Sequence, residues 1–318
     1  MTLPHDHPGL PGTFRHEAFM YAGRDAFVAG MSAFLRDGVV AGDPALVVVS
    51  DAKIDALRAA LGRDADDVLF ADMADVGANP ARIIPAWRDF VSAHGGAGRA
   101  LRGIGEPISA QRSPAELVEC HRHEALLNLA FADTPAFWLV CPYDTEALAP
   151  AVVAAARRTH PSVVDEGVAC ESALFDGLEA VAEPLADPLP DPPAAAVESE
   201  VRFDALAAVR RLVGRFAEQA GLGGHRTEDL LLAVNEIATN SVRHGGGRGR
   251  LLLWQESGML LCEVRDEGRI TAPLVGRERP RLGQVGGYGL WVANQVCDLV
   301  QVRAYAAGGV VRLHMRLP

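Results

Sequence analysis

The chain has 318 residues, 49% of them hydrophobic and 22% charged, with a formal net charge of −11, enough length for two domains with cores of their own. The negative balance argues against direct or non-specific DNA binding, and no run of eighteen apolar residues is present to span a membrane. The N-terminus, MTLPHDHPGL, lacks the basic-then-apolar order of a secretory signal, and five scattered cysteines without a CxxC pair fit reduced thiols, so a cytoplasmic protein is expected.

In chain order, hydrophobic periodicity places a helix at 24–37 and a strand at ALVVVS (45–50). A helix at 52–61, a strand at VLFADM (68–73) and a helix at 81–94 follow. Next come a strand in RALRGIGE (99–106), a helix at 114–130, a strand at AFWLVCPYD (136–144) and a helix at 146–157. Alternating β and α units imply a mostly parallel sheet covered on both faces. The strand ending at Val49 runs into Ser50, Asp51 and a helix without glycines, so no phosphate loop opens there. The only lysine, Lys53, stands against 29 arginines and has no glycine-rich loop near it, which excludes both P-loop and protein-kinase phosphate binding.

Ligands of open parallel sheets gather at the carboxyl ends of the strands. Those ends offer Ser50, Asp51, Asp72, Glu106, Tyr143 and Asp144, with Glu106, between Gly105 and Pro107, the best candidate for a sensor ligand. The plainer reading is that they cap helices and turns. Cys120, His121 and His123 suggest a metal by type, but neighbouring positions on one helix do not converge as tetrahedral ligands should.

The segment EPLADPLPDPPAAAVESE, 183–200, is rich in proline and acid, has no aromatic residue, and reads as an extended linker. Beyond it come helices near 203–220 and 226–244, strands RLLLWQES and MLLCEVRD joined at Ser257-Gly258, and a loop. A third helix, from Gly289 to about Cys297, precedes the strands LVQVRAYA and GVVRLHMRL. Helices alongside a mixed, mainly antiparallel sheet make an α+β sandwich.

Three features of this second half belong together. Glu236 and Asn240 are one helical turn apart and share a face. Asp266 and Gly268 end a strand, where a carboxylate can accept from an exocyclic amine and a glycine lets a flat base approach. GGYGL, 286–290, opens a helix, where backbone N–H groups suit an anionic phosphate. Asn240 offers a neutral oxygen to Mg²⁺, and Glu236 a base for an attacking hydroxyl. Each feature alone is weak; their order and spacing are much more specific.

On these motifs, residues 201–318 resemble the GHKL (Bergerat) ATPase fold of gyrase, Hsp90, histidine kinases and MutL. Within it they are most similar to the anti-sigma-factor serine kinases of the RsbW and SpoIIAB type. LLLAVNEIATNSVRHG looks like the N box, CEVRDEG like the first glycine box and GGYGLWVANQVCD like the second. The resemblance implies ATP and Mg²⁺ as cofactors, Glu236 as general base and Asn240 as magnesium ligand. It implies Asp266, with Gly268, at the adenine, and Gly287, Gly289 and Leu290 at the phosphates. It also implies that Arg210, in LAAVRRLVGRF beside Arg211 and Arg215, grips protein partners; a solvated basic face is the plainer reading. Arg269 and Ile270 depart from the family where a further glycine or proline is usual. The arginines of the loop, Arg277, Arg279 and Arg281, are candidates to neutralise phosphate, against a solvated loop. His244 is read as favouring the helix end before Gly245.

Residues 14–165 resemble the MEDS sensory domain, through HEAFMYAGRDAF, FLRDGVVAGDPALVVVS, GIGEP, ELVECHRHEALLNLAF and CPYD. Such domains look like RecA-type α/β units without the phosphate loop. The resemblances together imply an anti-sigma regulatory factor. Its ATP-binding domain would phosphorylate a serine on a small STAS-type antagonist and sequester a sigma factor, under an N-terminal sensor of an unknown small molecule, with a homodimer as one possible assembly. A non-catalytic ATP- or partner-binding switch is the alternative. A sensor histidine kinase fits less, because the linker stands where its dimerisation helices belong.

Overall fold

Strand β1 (Arg15–Tyr21) runs inside a seven-stranded sheet, although its sequence opens on arginine, histidine and glutamate. The computed structural model describes residues 13–96, 99–177, 188–280 and 287–318. The chain divides into two units, 1–181 and 182–318.

In the first unit β1 leads to α1 (Gly23–Ala41), β2 (Ala45–Val49), α2 (Asp51–Leu61), β3 (Val68–Asp72), the single turn α3 (Met73–Val76) and α4 (Ile83–His94). Then follow β4 (Leu101–Gly105), α5 (Pro114–Ala130), β5 (Phe137–Asp144), α6 (Pro150–Thr159), β6 (Ser162–Asp165) and β7 (Val168–Glu171). The strand order is β3-β2-β4-β5-β1-β6-β7, and every pairing is parallel except the β6–β7 hairpin. That hairpin turns on Glu166 and Gly167, both at positive φ (47° and 80°), as a two-residue turn of right-twisted strands requires. On one face Phe19 and Tyr21 of β1 pack with Phe27, Met31, Phe34 and Leu57 of α1 and α2. Residues alternate sides along a strand, so His16 of β1 lies on the other face, where its ring nitrogens meet α5.

The second unit contains β8 (Val197–Arg202), α7 (Leu206–Gln219), α8 (Gly224–His244), β9 (Arg248–Glu256), β10 (Met259–Asp266), α9 (Tyr288–Val296), β11 (Leu299–Tyr305) and β12 (Gly308–Arg316). Its sheet is ordered β11-β12-β10-β9-β8, with all four pairings antiparallel. Helix α8 buries a stripe of Thr227, Leu230, Ala233, Val234, Ile237, Ala238 and Ser241, the spacing of an amphipathic helix. These side chains meet Leu251, Leu253, Leu260, Cys262 and Val264 of the sheet. Full burial of each large aliphatic side chain there contributes about 1.5–3 kcal/mol.

The stretch read as a free linker is partly structured. Residues 197–200 pair with β9 as part of β8, because Val197, Ser199 and Val201 alternate with Glu198 and Glu200 at period two. Pro190 accepts from Nη2 of Arg312 at 2.6 Å, and the Leu189 amide donates to the Tyr305 hydroxyl at 3.1 Å. Ala196 packs on Leu252, Trp254 and Leu261. This covered second face explains why LLLW in β9 is apolar at every position rather than alternating.

Candidate functional site

Helix α8 carries Glu236 and Asn240 beside its buried stripe, half-exposed, and neither side chain makes a hydrogen bond or ion pair with another described residue. The start of α9 comes down on the same place. A Cβ added to Gly289 would lie 2.3 Å from Nδ2 of Asn240 and 3.4 Å from Cβ of Glu236, so only a glycine lets the two helices approach so closely. Gly287, the N-cap of α9, sits at φ 86°, a left-handed conformation that also favours glycine. The N-terminus of α9, a place suited to anions, therefore opens beside a carboxylate and a carboxamide. Leu290 is buried in the core under this contact. Gly286 lies outside the described residues.

Asp266 meets α8 at its C-terminal end. It closes β10, opposite Gly249 and Gly309, and the next amide, of Glu267, donates to the carbonyl of Gly245 that caps α8, at 3.3 Å. Oδ1 of Asp266 accepts from the amide of Gly268 at 2.8 Å, which fixes the carboxylate and leaves Oδ2 as an acceptor. Ile270, the departure from the first glycine box, packs on the domain core. The three sequence motifs thus meet around the C-terminal half of α8.

The remaining positions divide. Arg277 is buried, not solvated as the plainer reading had it, in a loop tied down where Nδ2 of Asn294 donates to the carbonyl of Gly276 at 2.9 Å. Arg279 is exposed, and Arg281 lies outside the described residues. Arg210, Arg211 and Arg215 are exposed on α7, away from Val209, Val213 and Ala217. His244 is exposed in the last turn of α8. A cavity of about 290 Å³ borders Asp266 and Arg265 and is walled by Leu189, Tyr305 and Val310; it does not include Glu236, Asn240 or Gly289.

In the first unit Glu106 follows β4 and is 8% exposed. The Tyr21 hydroxyl donates to its Oε1 at 2.8 Å, and the Lys53 ammonium donates to both that oxygen and, at 2.6 Å, the tyrosine oxygen. Burial raises the Glu106 carboxyl above its ordinary value, against the pull of the lysine charge and these two hydrogen bonds. Burial, then the Glu106 charge, pushes the Tyr21 phenol up, so it remains a donor. The chain's one lysine is thus bound to this carboxylate. Asp72 caps α3 through Ala74 at 3.0 Å, and Asp144 accepts from Glu146 at 3.1 Å, the turn-capping role weighed for them. Ser50 and Asp51 are exposed at the start of α2, and Tyr143 is buried. Cys120 donates its thiol to the carbonyl of Pro107 at 3.4 Å and does not gather with His121 and His123.

An α/β unit with a mostly parallel sheet thus precedes an α+β unit whose helix face holds a carboxylate and a carboxamide under a glycine-started helix. Residues 15–161 match the family model of the MEDS domain (methanogen/methylotroph, DcmR sensory domain), and residues 200–315 match that of the histidine kinase-like ATPase domain. The chain joins an N-terminal MEDS sensory domain to a C-terminal histidine kinase-like ATPase domain, and ATP is the ligand the latter family implies. A crystal structure of the RsbU and RsbW domains of a Mycobacterium tuberculosis protein is similar at 18% identity and a TM-score of 0.30, over 39% of this chain and 33% of that one. The match thus spans about a third of that chain. No curated protein matches. No helix among the described residues is long and apolar enough to cross a membrane.

Proposed function

We propose that the C-terminal domain is a Mg-ATP-dependent protein serine kinase of anti-sigma type. Its substrate is a small STAS-type antagonist protein, a sigma factor is its second partner, and the N-terminal domain sets its activity in response to a small-molecule effector. The observation that carries the kinase reading is the seating of Gly289 against Asn240 and Glu236. Support comes from a carboxamide, a carboxylate and a helix N-terminus lying close together there. The donor set fits the metal, since Asn240 presents an amide that no described residue occupies. When bound, Mg²⁺ neutralises charge on the phosphate oxygens.

The chain's own residues do the rest. Asn240 holds the ion with its carbonyl oxygen, and the amides at Gly287, Gly289 and Leu290 bind the phosphates. Asp266 accepts from the adenine amine through Oδ2, and Gly268 allows the base to lie close. Glu236 takes the proton from the attacking serine hydroxyl. Arg210, on the exposed face of α7, receives the protein partner. In the sensor, the Glu106, Tyr21 and Lys53 group at the carboxyl end of the sheet receives the effector.

The test incubates the purified chain with γ-labelled Mg-ATP and a lysate of its source, for wild type, Asn240→Ala and Glu236→Gln. The expected product is a small, acid-stable, alkali-labile phosphoprotein, made by wild type and reduced about 10²- to 10⁴-fold by Glu236→Gln. Unchanged labelling by Glu236→Gln removes that residue as base. Nucleotide binding with no labelled protein from wild type leaves a switch that works by binding alone.

A further inference from the structure

Four buried side chains that the proposed function does not use converge on one point of the N-terminal domain. They are His16 of β1, Glu124 of α5, Cys141 of β5 and His160 at the end of α6, and one ligand atom from each lies within 4.8 Å of all the others. The side chains of His16, Glu124 and His160 are fully shielded from solvent, and Cys141 is 1% exposed. Oε2 of Glu124 is 3.1 Å from Nε2 of His16 and 3.3 Å from Nε2 of His160, while Sγ of Cys141 is 3.4 Å from Nε2 of His16.

The surrounding hydrogen bonds fix which nitrogens carry protons. The Asn128 amide nitrogen donates to the Thr159 carbonyl at 2.8 Å, so its oxygen is what faces Nδ1 of His16 at 3.0 Å. Nδ1 of His16 is therefore the N–H, and its Nε2 carries a lone pair. Nδ1 of His160 lies 2.8 Å from the Ala156 carbonyl, which only accepts, so that ring too turns a lone pair inward from Nε2. Two bare nitrogens and a carboxylate oxygen thus face one another at 3.1 and 3.3 Å, and the Cys141 thiol has a single proton to give. Oε1 of Glu124 and Nε2 of His160 make no hydrogen bond with any described residue. Protonating both rings would let each donate to Glu124 but would bury two positive charges against one carboxylate. A cation at the centre, with the thiol ionised, satisfies all four groups without an excess of charge.

We propose that His16, Glu124, Cys141 and His160 bind a zinc ion. Bonds of about 2.0–2.3 Å to a tetrahedral ion put its ligands about 3.3–3.8 Å apart, and the three contacts above already lie near that range. The nitrogen, oxygen and sulfur donors suit a borderline ion such as Zn²⁺ rather than Mg²⁺ or Ca²⁺. The carbonyls of Asn128 and Ala156 orient the two rings from behind. Binding replaces the Cys141 S–H bond by an S–Zn bond and releases that proton to solvent. One thiolate and one carboxylate then balance the dication, so no net charge is buried. With four protein ligands the site is closed, as structural zinc sites are, and it ties β1, α5, β5 and the end of α6 to one another.

The test uses the full, untagged chain from zinc-replete cells, with metal content read by mass spectrometry. Wild type, Cys141→Ser and Glu124→Gln are then stripped and titrated with Zn²⁺ and Co²⁺. The expected result is one zinc per chain and a Co²⁺ form with tetrahedral ligand-field bands and a thiolate charge-transfer band. In Cys141→Ser that band is absent and affinity at least about tenfold weaker, while circular dichroism reports the fold. The wild-type cobalt spectrum decides the matter even where a variant does not fold. A folded wild type that takes up neither ion overturns the proposal, as does a cobalt spectrum without the thiolate band. Cys141→Ser and Glu124→Gln binding with wild-type affinity places the metal elsewhere and overturns it equally.

Discussion

Gly289 limits where the Asn240 side chain can stand. A methyl group there meets Nδ2 of Asn240 at 2.3 Å, and the half-exposed amide is what yields. Gly289→Ala is expected to leave α9 helical, since alanine favours helix. Displacing the amide by a fraction of an ångström to an ångström should weaken Mg-dependent nucleotide binding about tenfold to a hundredfold. Calorimetric titration beside far-UV circular dichroism checks this, and wild-type affinity would show that the contact does not position Asn240. On the other face of the same sheet Glu263, fully buried, pairs with Arg312 at 2.6 Å and Arg265 at 2.5 Å. Arg312 is itself 4% exposed, so Glu263→Ala leaves a buried charge without its counter-ion and should cost about 3–5 kcal/mol. Replacing both partners by Glu263→Leu/Arg312→Met should cost much less, which urea unfolding of the two variants distinguishes.

At the scale of elements, local signals and tertiary ones separate cleanly. Helix α5 begins where its sequence says it should: Ser113 accepts from the Glu116 amide at 3.3 Å, Glu116 accepts from the Ser113 amide at 2.8 Å, and Pro114 follows at the first helical position. Ser113→Ala removes half of that capping box and should destabilise the domain by about 1 kcal/mol, read as a lowered urea midpoint with unchanged slope. The residues proposed for the ATP site stood out in the sequence for a related reason. Glu236 and Asn240 are a local helical pair, and the glycines of α9 follow a fixed order of elements. Strand β1 was not legible, because His16 and Glu17 look solvent-seeking until α5 supplies Glu124 and Asn128 to His16, while Glu17 pairs with Arg15. The His16, Glu124, Cys141 and His160 group was invisible for the same reason: its members are spread from residue 16 to 160 with no spacing motif. Of the HRHE run of α5 only Glu124 belongs to this group, while Cys120, His121 and His123 beside it do not. The proline-rich segment misled in the opposite direction. Its composition describes a free chain, but a sheet face carrying Trp254, Leu252 and Leu261 gives Ala196 and Pro190 something to lie on.

At the scale of the whole molecule, each unit has among its described residues a hydrophobic core of its own, one around Phe27, Phe34 and Val47 and one around Val234, Ile237 and Leu253. Unfolding should therefore show two transitions, Ser113→Ala moving one and Glu263→Ala the other. A ligand that binds only one folded unit stabilises that unit by mass action, about 2.7 kcal/mol at a concentration one hundred times its dissociation constant. In the proposed function ATP binds the second unit, through Asn240, Asp266 and the start of α9. Mg-ATP at such a concentration should raise the transition that Glu263→Ala lowers, and Asn240→Ala should abolish the rise. Without effector the first transition should stay where it is, because a ligand shifts an equilibrium only by its differential affinity for the states involved. Differential scanning calorimetry of the intact chain, with and without nucleotide, measures both at once. Movement of the first transition by nucleotide alone would mean that the two units are energetically coupled before any signal arrives, and by reciprocity that the sensor's ligand changes ATP affinity by the same factor.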